Sequence, residues 1–298
     1  MSRNIRGTAN ALVGGELTLA EPTREFAFSD NDFRSLAQFA YQEAGIALSD
    51  SKRNLVYSRL SRRLRALGMT SFKEYREYLA ATSGELENFI NAISTNLTKF
   101  FRESHHFDHF RTHVAQAFAQ SARGVGGKRL RVWSAGCSTG EEPYTIAVVL
   151  KREIHDIARH DVKILATDID TDVVAKGVRG EYPASALEEV PKPYREYFLP
   201  AESRRDNAQV VLADEVRKLI SFRKLNLMEP WPFKGSFDAI FCRNVMIYFD
   251  APTKSTLVDR LTEKLKPGGW LYIGHSESLI GSHPGLRLVG RTIYRREA

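Results

Sequence analysis

The chain has 298 residues, 43% apolar and 27% charged, which is long enough for one large or two ordinary domains with a sizeable core. No run approaches the roughly 18 apolar residues of a membrane span, and residues 1–26 lack the compact apolar stretch of a secretory leader. Lysine and arginine exceed aspartate and glutamate by 43 − 36 = +7, a balance that favours an anionic partner without choosing among nucleic acid, membrane surface and acidic protein.

Residues 1–28 read as a disordered tail, and residues 29–100 as a helical domain. "SDNDFRSLAQFAYQEAG" (29–45) opens on capping residues and closes on a glycine. "LSDSKRNLVYSRLSRRLRALG" (48–68) follows, with Val56, Leu60, Leu64 and Leu67 on one helical face. Lys52, Arg59, Arg62 and Arg63 cluster on the opposite face, with Arg65 near its edge. "SFKEYREYLAAT" and "SGELENFINAIS" are two more amphipathic helices. Residues 101–129 read as a linker helix ending in a Gly-rich turn; its four histidines, His105, His106, His109 and His113, look like helix-surface positions rather than metal ligands.

From residue 130 the period changes. "LRVWSA" and "DVKILATDI" are short apolar runs suited to buried parallel strands, and "EEPYTIAVVLKREIHDIA" between them is a helix. The alternation continues through "TDVVAKGVRG", "KLISFRKLNL", "FDAIFCRNVMIYF", "PTKSTLVDRLTEKLKPGG" and "WLYIGHSE", and "LRLVGRTIYRR" reads as a terminal strand. This is an α/β pattern: a helical bundle followed by a doubly wound sheet over residues 130–298. Residues 181–216 break the alternation and read as an inserted antiparallel β-subdomain. Two cysteines, Cys137 and Cys242, stand without any CxxC spacing, so no zinc site or disulfide framework is indicated and a reducing cytoplasm is expected.

Ligands in open α/β sheets sit outside the carboxyl ends of the strands. The first such end is "SAGCSTGEE", where Gly136 and Gly140 allow a tight turn close to a ligand. Its helix start would suit a phosphate, yet it carries Glu141 and Glu142, and the Lys of a phosphate loop is absent. Glu142 suits a ligand that presents hydroxyls or an ammonium; Glu141 suits the helix dipole. Asp168 ends the second strand and is placed to accept from ribose hydroxyls, whereas Asp170 fits a helix N-cap. Together these favour an adenosine ligand without a pyrophosphate at the turn; S-adenosylmethionine fits, and NAD fits worse because its pyrophosphate would face Glu142. Asn226 could read an adenine edge or simply form a turn, with Leu227 covering the ring. In "FCRNVMIYF", Arg243, Asn244 and Val245 stand where amino-methylating enzymes carry a Pro-Pro-aromatic motif, and an arginine suits an acid rather than an amine. Arg102, after Phe100 and Phe101, is placed to fork onto a carboxylate.

"NLTKFFRE", "WSAGCSTGEEPYTIA", "ATDID", "FDAIFCRNVMIYF" and "LKPGGWLYIGHSE" closely resemble the chemotaxis receptor glutamate O-methyltransferase family, CheR, in the expected order over about residues 30–298. "KRNLVYSRLSRRLRALG" resembles its N-terminal basic helix. The resemblance implies S-adenosylmethionine-dependent methylation of glutamates on methyl-accepting chemotaxis proteins in the cytoplasm, with recruitment to membrane receptor clusters. It implies cofactor contacts at Asn96, Thr98, Arg102, Glu142, Asp168, Asn226, Leu227, Arg243 and Asn244, with Tyr248 at the transfer site; Arg102 is expected to orient the substrate carboxylate there. Receptor helices would dock on Lys52, Arg53, Arg59, Arg62 and Arg63. In some members the β-subdomain grips a receptor C-terminal peptide; here "PAESRRDNAQ" (200–209) lacks the Gly-rich loop expected for that. A nucleic-acid methyltransferase and a non-catalytic cofactor-binding signalling module are the competing readings. Against the first, the basic helix has no interleaved aromatics for base stacking.

Overall fold

The computed structural model describes residues 24–201, 208–277, 279 and 283–297. Four helices form the N-terminal layer: α1 (Asp30–Ala44), α2 (Arg53–Leu67), α3 (Phe72–Ala81) and α4 (Ser83–Ile93). Ser29 and Asp32 make a capping box that starts α1, each side chain accepting the other's backbone N–H. The apolar face expected for α2 is buried at Val56, Leu60 and Leu64, packed with Phe33, Leu36, Phe72 and Phe89. Phe26 and Phe28 are buried in the same cluster, so the packed layer begins earlier than residue 29. Of the tail assigned by sequence, residues 1–23 lie outside the described residues.

The second layer system is a seven-stranded sheet. Its strands are β1 (Arg129–Ala135), β2 (Asp161–Asp168), β6 (Ile220–Lys224), β7 (Phe237–Cys242), β8 (Leu265–Ile273), β9 (Leu286–Gly290) and β10 (Ile293–Arg296). They are ordered β6-β2-β1-β7-β8-β10-β9. The first five are parallel; β10 runs antiparallel to both β8 and β9. "LRLVGRTIYRR" is therefore a hairpin turning at Arg291–Thr292 rather than one strand. Alternation along the strands fills both faces. Val132, Ala239 and Phe241 face one apolar cluster, and Trp133, Ile240 and Cys242 face the other. Helix α7 (Glu141–Glu153) packs into the first cluster and α10 (Ala251–Lys264) into the second. The strand order reverses at β1/β7, and that switch point places the ligand crevice at the ends of β1 and β7.

Residues 105–122 are not a free linker. Helices α5 (His105–Phe110) and α6 (Ala117–Ala122), joined by a π-helical turn, bury Phe107, Phe110 and Val114 against the sheet. His106 is fully buried and His109 accepts or donates at Tyr272 Oη, 3.0 Å away. These two histidines are packing residues, not surface positions, and burial pushes them down to about 3 and about 4. Helix α8 (Thr171–Arg179) follows β2 and is capped by Asp170 as expected. A three-stranded antiparallel sheet, β3 (Glu181–Pro183), β4 (Phe198–Ala201) and β5 (Gln209–Leu212), ordered β3-β5-β4, forms the insertion. The alternating run after β5 turns into a short helix, α9 (Asp214–Arg217). Residues 202–207, most of the stretch that stands in place of the Gly-rich loop of peptide-gripping members, lie outside the described residues.

Candidate active site

The carboxyl ends of β1, β2 and β7 open into a cavity of about 420 Å³. Its roof is residues 44–49, Lys52 and Leu55 of the helical layer and the 93–99 connection. Three contacts fix the roof. Ala47 N–H donates to the Tyr248 carbonyl at 2.8 Å. Asn226 Nδ2 donates to the Glu43 carbonyl at 2.8 Å, and Tyr41 Oη donates to Asp250 at 2.8 Å. The contribution of residues 44–49 was missed in the sequence, where only capping and periodicity were visible.

The Gly-bearing turn after β1 has a different division of labour from the one expected. Gly136 lines the cavity at φ +77°, and a Cβ there would lie 2.2 Å from Val245 Cγ2. Gly140 faces away from the cavity. At φ +99°, its Cβ would meet Tyr182 Oη at 2.8 Å and the Gly177 Cα at 3.0 Å. It is glycine because α7 and α8 approach each other there, not because a ligand does. Glu141 also stays out of the cavity, accepting from Thr139 Oγ1 at 2.6 Å.

Glu142 lies at the cavity floor. It accepts from Ser134 Oγ at 2.7 Å and from Arg243 Nη1 at 2.9 Å. Burial raises its carboxyl above the ordinary value, with Arg243 opposing. The Arg243 side chain is 2% exposed and stands between Glu142 and Glu103, the latter at 3.4 Å. It also donates to the Arg102 carbonyl and lies over the Phe107 ring. The arginine that reads as a substrate-carboxylate partner in the sequence thus already holds two protein carboxylates. Burial works against ionisation of Glu103, yet Arg243 and His275 hold its carboxyl down at about 2. Glu103 sits in the quoted "NLTKFFRE", yet its pairing with Arg243 and His275 has no signal in the sequence.

Asp168 ends β2 inside the cavity. Its two oxygens accept one N–H each, from Ser138 at 2.8 Å and Asp170 at 3.0 Å. Each oxygen keeps a lone pair for a ligand hydroxyl. Asn96 Nδ2 donates to Asp170 Oδ2 at 2.7 Å, so that side chain ties the 93–99 connection to the start of α8. Asn226 takes the turn-forming alternative: its Oδ1 accepts the Met228 N–H at 3.0 Å, while both amide protons go to Glu43 and Glu229. Its side chain has no donor left to read an adenine edge. Leu227 is buried and lines the cavity. Thr98, Asn244 and Tyr248 line it as well, Tyr248 donating to the Thr95 carbonyl at 3.3 Å. Arg102 lines it with Nη1 on the Leu97 carbonyl at 2.7 Å.

The basic face of α2 is less free than its spacing implies. Arg63 forms a two-point pair with Glu85, at 2.7 and 2.5 Å, and Glu85 is 1% exposed. Arg59 donates to the carbonyls of Ala92, Ile93 and Ser94 at the end of α4, and Arg53 pairs with Asp30. Lys52 and Arg62 remain exposed, Lys52 at the cavity itself.

The cavity therefore has polarity. The carboxylates of Glu142, paired with Arg243, and of buried Asp168 form its floor. Lys52, Lys99 and Arg102 stand toward its opening, and Lys99 alone of these three has a carboxylate partner among the described residues, Glu189. Such a floor suits hydroxyls and an ammonium and repels phosphate; such a mouth suits an incoming carboxylate. This set of acceptors fits an aminoacyl nucleoside with a cationic centre.

Residues 96–294 match a model described as "CheR methyltransferase, SAM binding domain", and residues 31–94 match "CheR methyltransferase, all-alpha domain". A probable chemotaxis protein methyltransferase of Rhizobium etli is 44% identical over 258 residues, covering 86% of this chain and 96% of that protein. Chemotaxis protein methyltransferase 2 of Pseudomonas aeruginosa is 43% identical, covering 91% and 95%. The chemotaxis protein methyltransferase of Escherichia coli is 41% identical over 291 residues, covering 96% and 98%.

Proposed function

The chain belongs to the CheR methyltransferase family, and on that premise we propose that it esterifies specific glutamate side chains of methyl-accepting chemotaxis receptors, using S-adenosylmethionine. The observation that carries this reading is the polarity of the cavity: an acidic floor under a basic mouth.

The cofactor supplies an activated methyl group on a sulfonium. Asp168 accepts from the ribose hydroxyls, and Glu142, held by Ser134 and Arg243, faces the ammonium. Leu227 covers the base with apolar surface. Asn96, Thr98 and Asn244 complete the walls. A glutamate carboxylate, with an ordinary pKa near about 4.3, is already the nucleophile at pH 7, so the site needs no general base. Its task is alignment and removal of water. Arg102 orients the incoming carboxylate. Tyr248, whose hydroxyl proton is directed at the Thr95 carbonyl, turns its oxygen lone pairs to the transfer site. Lys52 and Arg62 remain free to meet acidic receptor helices, while Arg53, Arg59 and Arg63 set the shape of the docking layer. A receptor C-terminal peptide, if one is gripped as in some members of the family, would add to the β3-β5-β4 sheet, without the Gly-rich loop those members carry. No helix among the described residues is long and apolar enough to cross a membrane, and recruitment to receptor clusters comes through these contacts.

The test supplies methyl-labelled S-adenosylmethionine together with receptor cytoplasmic fragments and, separately, RNA. A protein label released by mild base supports the ester. Label on RNA, or cofactor binding with no transfer to the receptor fragments, contradicts it.

A further inference from the structure

The loop after β7 brings Asn244, Ile247 and Tyr248 to the cavity, and what holds its backbone comes from another strand. Glu277 is 6% exposed and lies just past the end of β8. Its Oε2 accepts the N–H groups of Asn244 and Gly274, each at 2.7 Å, and its Oε1 accepts the Ile247 N–H at 3.1 Å. The Glu277 N–H itself donates to the Gly274 carbonyl at 2.9 Å, closing a turn that presents the carboxylate. Cys242 and Ile273, the last residues of the two strands, are register partners, so this one carboxylate clasps two adjacent strand ends. Asn244 adopts φ +59°, a left-handed conformation uncommon for a non-glycine residue and sustained only where surrounding contacts impose it. The fit admits no extra atom: a Cβ on Gly274 would lie 2.5 Å from Asn244 Nδ2 and 2.7 Å from Glu277 Oε2. Glu277 is not itself among the cavity-lining residues.

We propose that Glu277 is a positioning residue: by fixing the backbone of residues 244–247 it places Asn244 and Tyr248 for cofactor binding and methyl transfer. This rests on reading the cavity as the cofactor and transfer site. Glu277→Gln keeps the shape of the side chain but turns one acceptor into a donor facing N–H groups, so the loop must shift. Gly274→Ala perturbs the same clasp from the other side and serves as an independent second variant. Binding of S-adenosylhomocysteine is measured by calorimetry, and kcat and KM separately by methyl transfer to receptor fragments. For Glu277→Gln, affinity should weaken about tenfold, and kcat should fall by up to about a hundredfold, the order expected for a misplacement near 1 Å. Both readings are taken at a temperature where circular dichroism shows the variant folded. Affinity and kcat both within about twofold of wild type, in the folded Gln or Ala variant, would overturn the proposal, since a purely structural clasp lowers the melting temperature without moving either constant. Absence of binding by the wild-type chain would instead overturn the reading of the cavity on which it rests.

Discussion

Lowering the pH through 6 should release the cofactor before it unfolds the protein. Burial pushes the Asp168 carboxyl up to about 6, and the N–H groups of Asp170 and Ser138 offset this only in part. A ribose hydroxyl needs an acceptor, and a protonated carboxyl offers one of its oxygens as a donor instead. With a value near 6, the ionised fraction falls from about 0.9 at pH 7 to about 0.1 at pH 5, so affinity should drop about tenfold over that interval. The sign for stability is the opposite. The folded value lies above the roughly 3.9 of an unfolded aspartate, so between the two the folded chain binds more protons, and this group's contribution to stability grows as the pH falls through 6. Loss of binding in that window is therefore not unfolding driven by Asp168. Calorimetric titration with S-adenosylhomocysteine from pH 8 to pH 5, beside thermal melts of the free protein, separates the two. Affinity that stays level across that range, or a slope that survives in Asp168→Asn, would refute the assignment of the ribose to this carboxylate.

Other consequences follow from the same geometry. Arg63→Ala strands the buried carboxylate of Glu85, which then keeps only Tyr75 and Asn88 as partners; it should cost about 3 kcal/mol in chemical denaturation. Arg62→Ala, on the exposed side, should stay within about 0.5 kcal/mol while weakening receptor docking. Gly140→Ala combines a φ of +99° with collisions against Tyr182 and Gly177, and should destabilise by more than about 2 kcal/mol; cofactor affinity measured on the folded fraction should hold. Glu103, held at about 2, contributes stability that is present above the unfolded value of roughly 4.3 and lost as the pH falls through 2. Glu103→Gln should therefore flatten the acid limb of a melting-temperature profile between pH 4 and pH 2.

The strands and their cavity-lining ends were legible because buried parallel strands are short continuous apolar runs and the crevice position follows from topology. Glu142 stood out as a carboxylate at a place that usually wants an anion-binding turn, and Asp168 by its position at the end of the second strand. Four things were not legible. The stripe Phe107, Phe110 and Val114 has helical spacing, but only the tertiary structure shows that it seals one face of the sheet. Arg59 and Arg63 share a face with Arg62, yet guanidinium stems reach across a helix flank, and what they reach, Glu85 and the end of α4, is distant in sequence. Asn226 had two readings with the same local signature, and the choice depended on Glu43, 183 residues away. Glu277 stands in a recognisable motif, but its role depends on three backbone N–H groups that no sequence pattern marks.

A crystal structure of the protein with S-adenosylhomocysteine tests the central claim most directly. The account predicts the ligand in the cavity between the helical layer and the ends of β1, β2 and β7, its ribose hydroxyls within hydrogen-bond reach of Asp168 and its amino-acid end toward Glu142. A ligand bound outside this cavity, or one whose ribose lies beyond hydrogen-bond reach of Asp168, would contradict it.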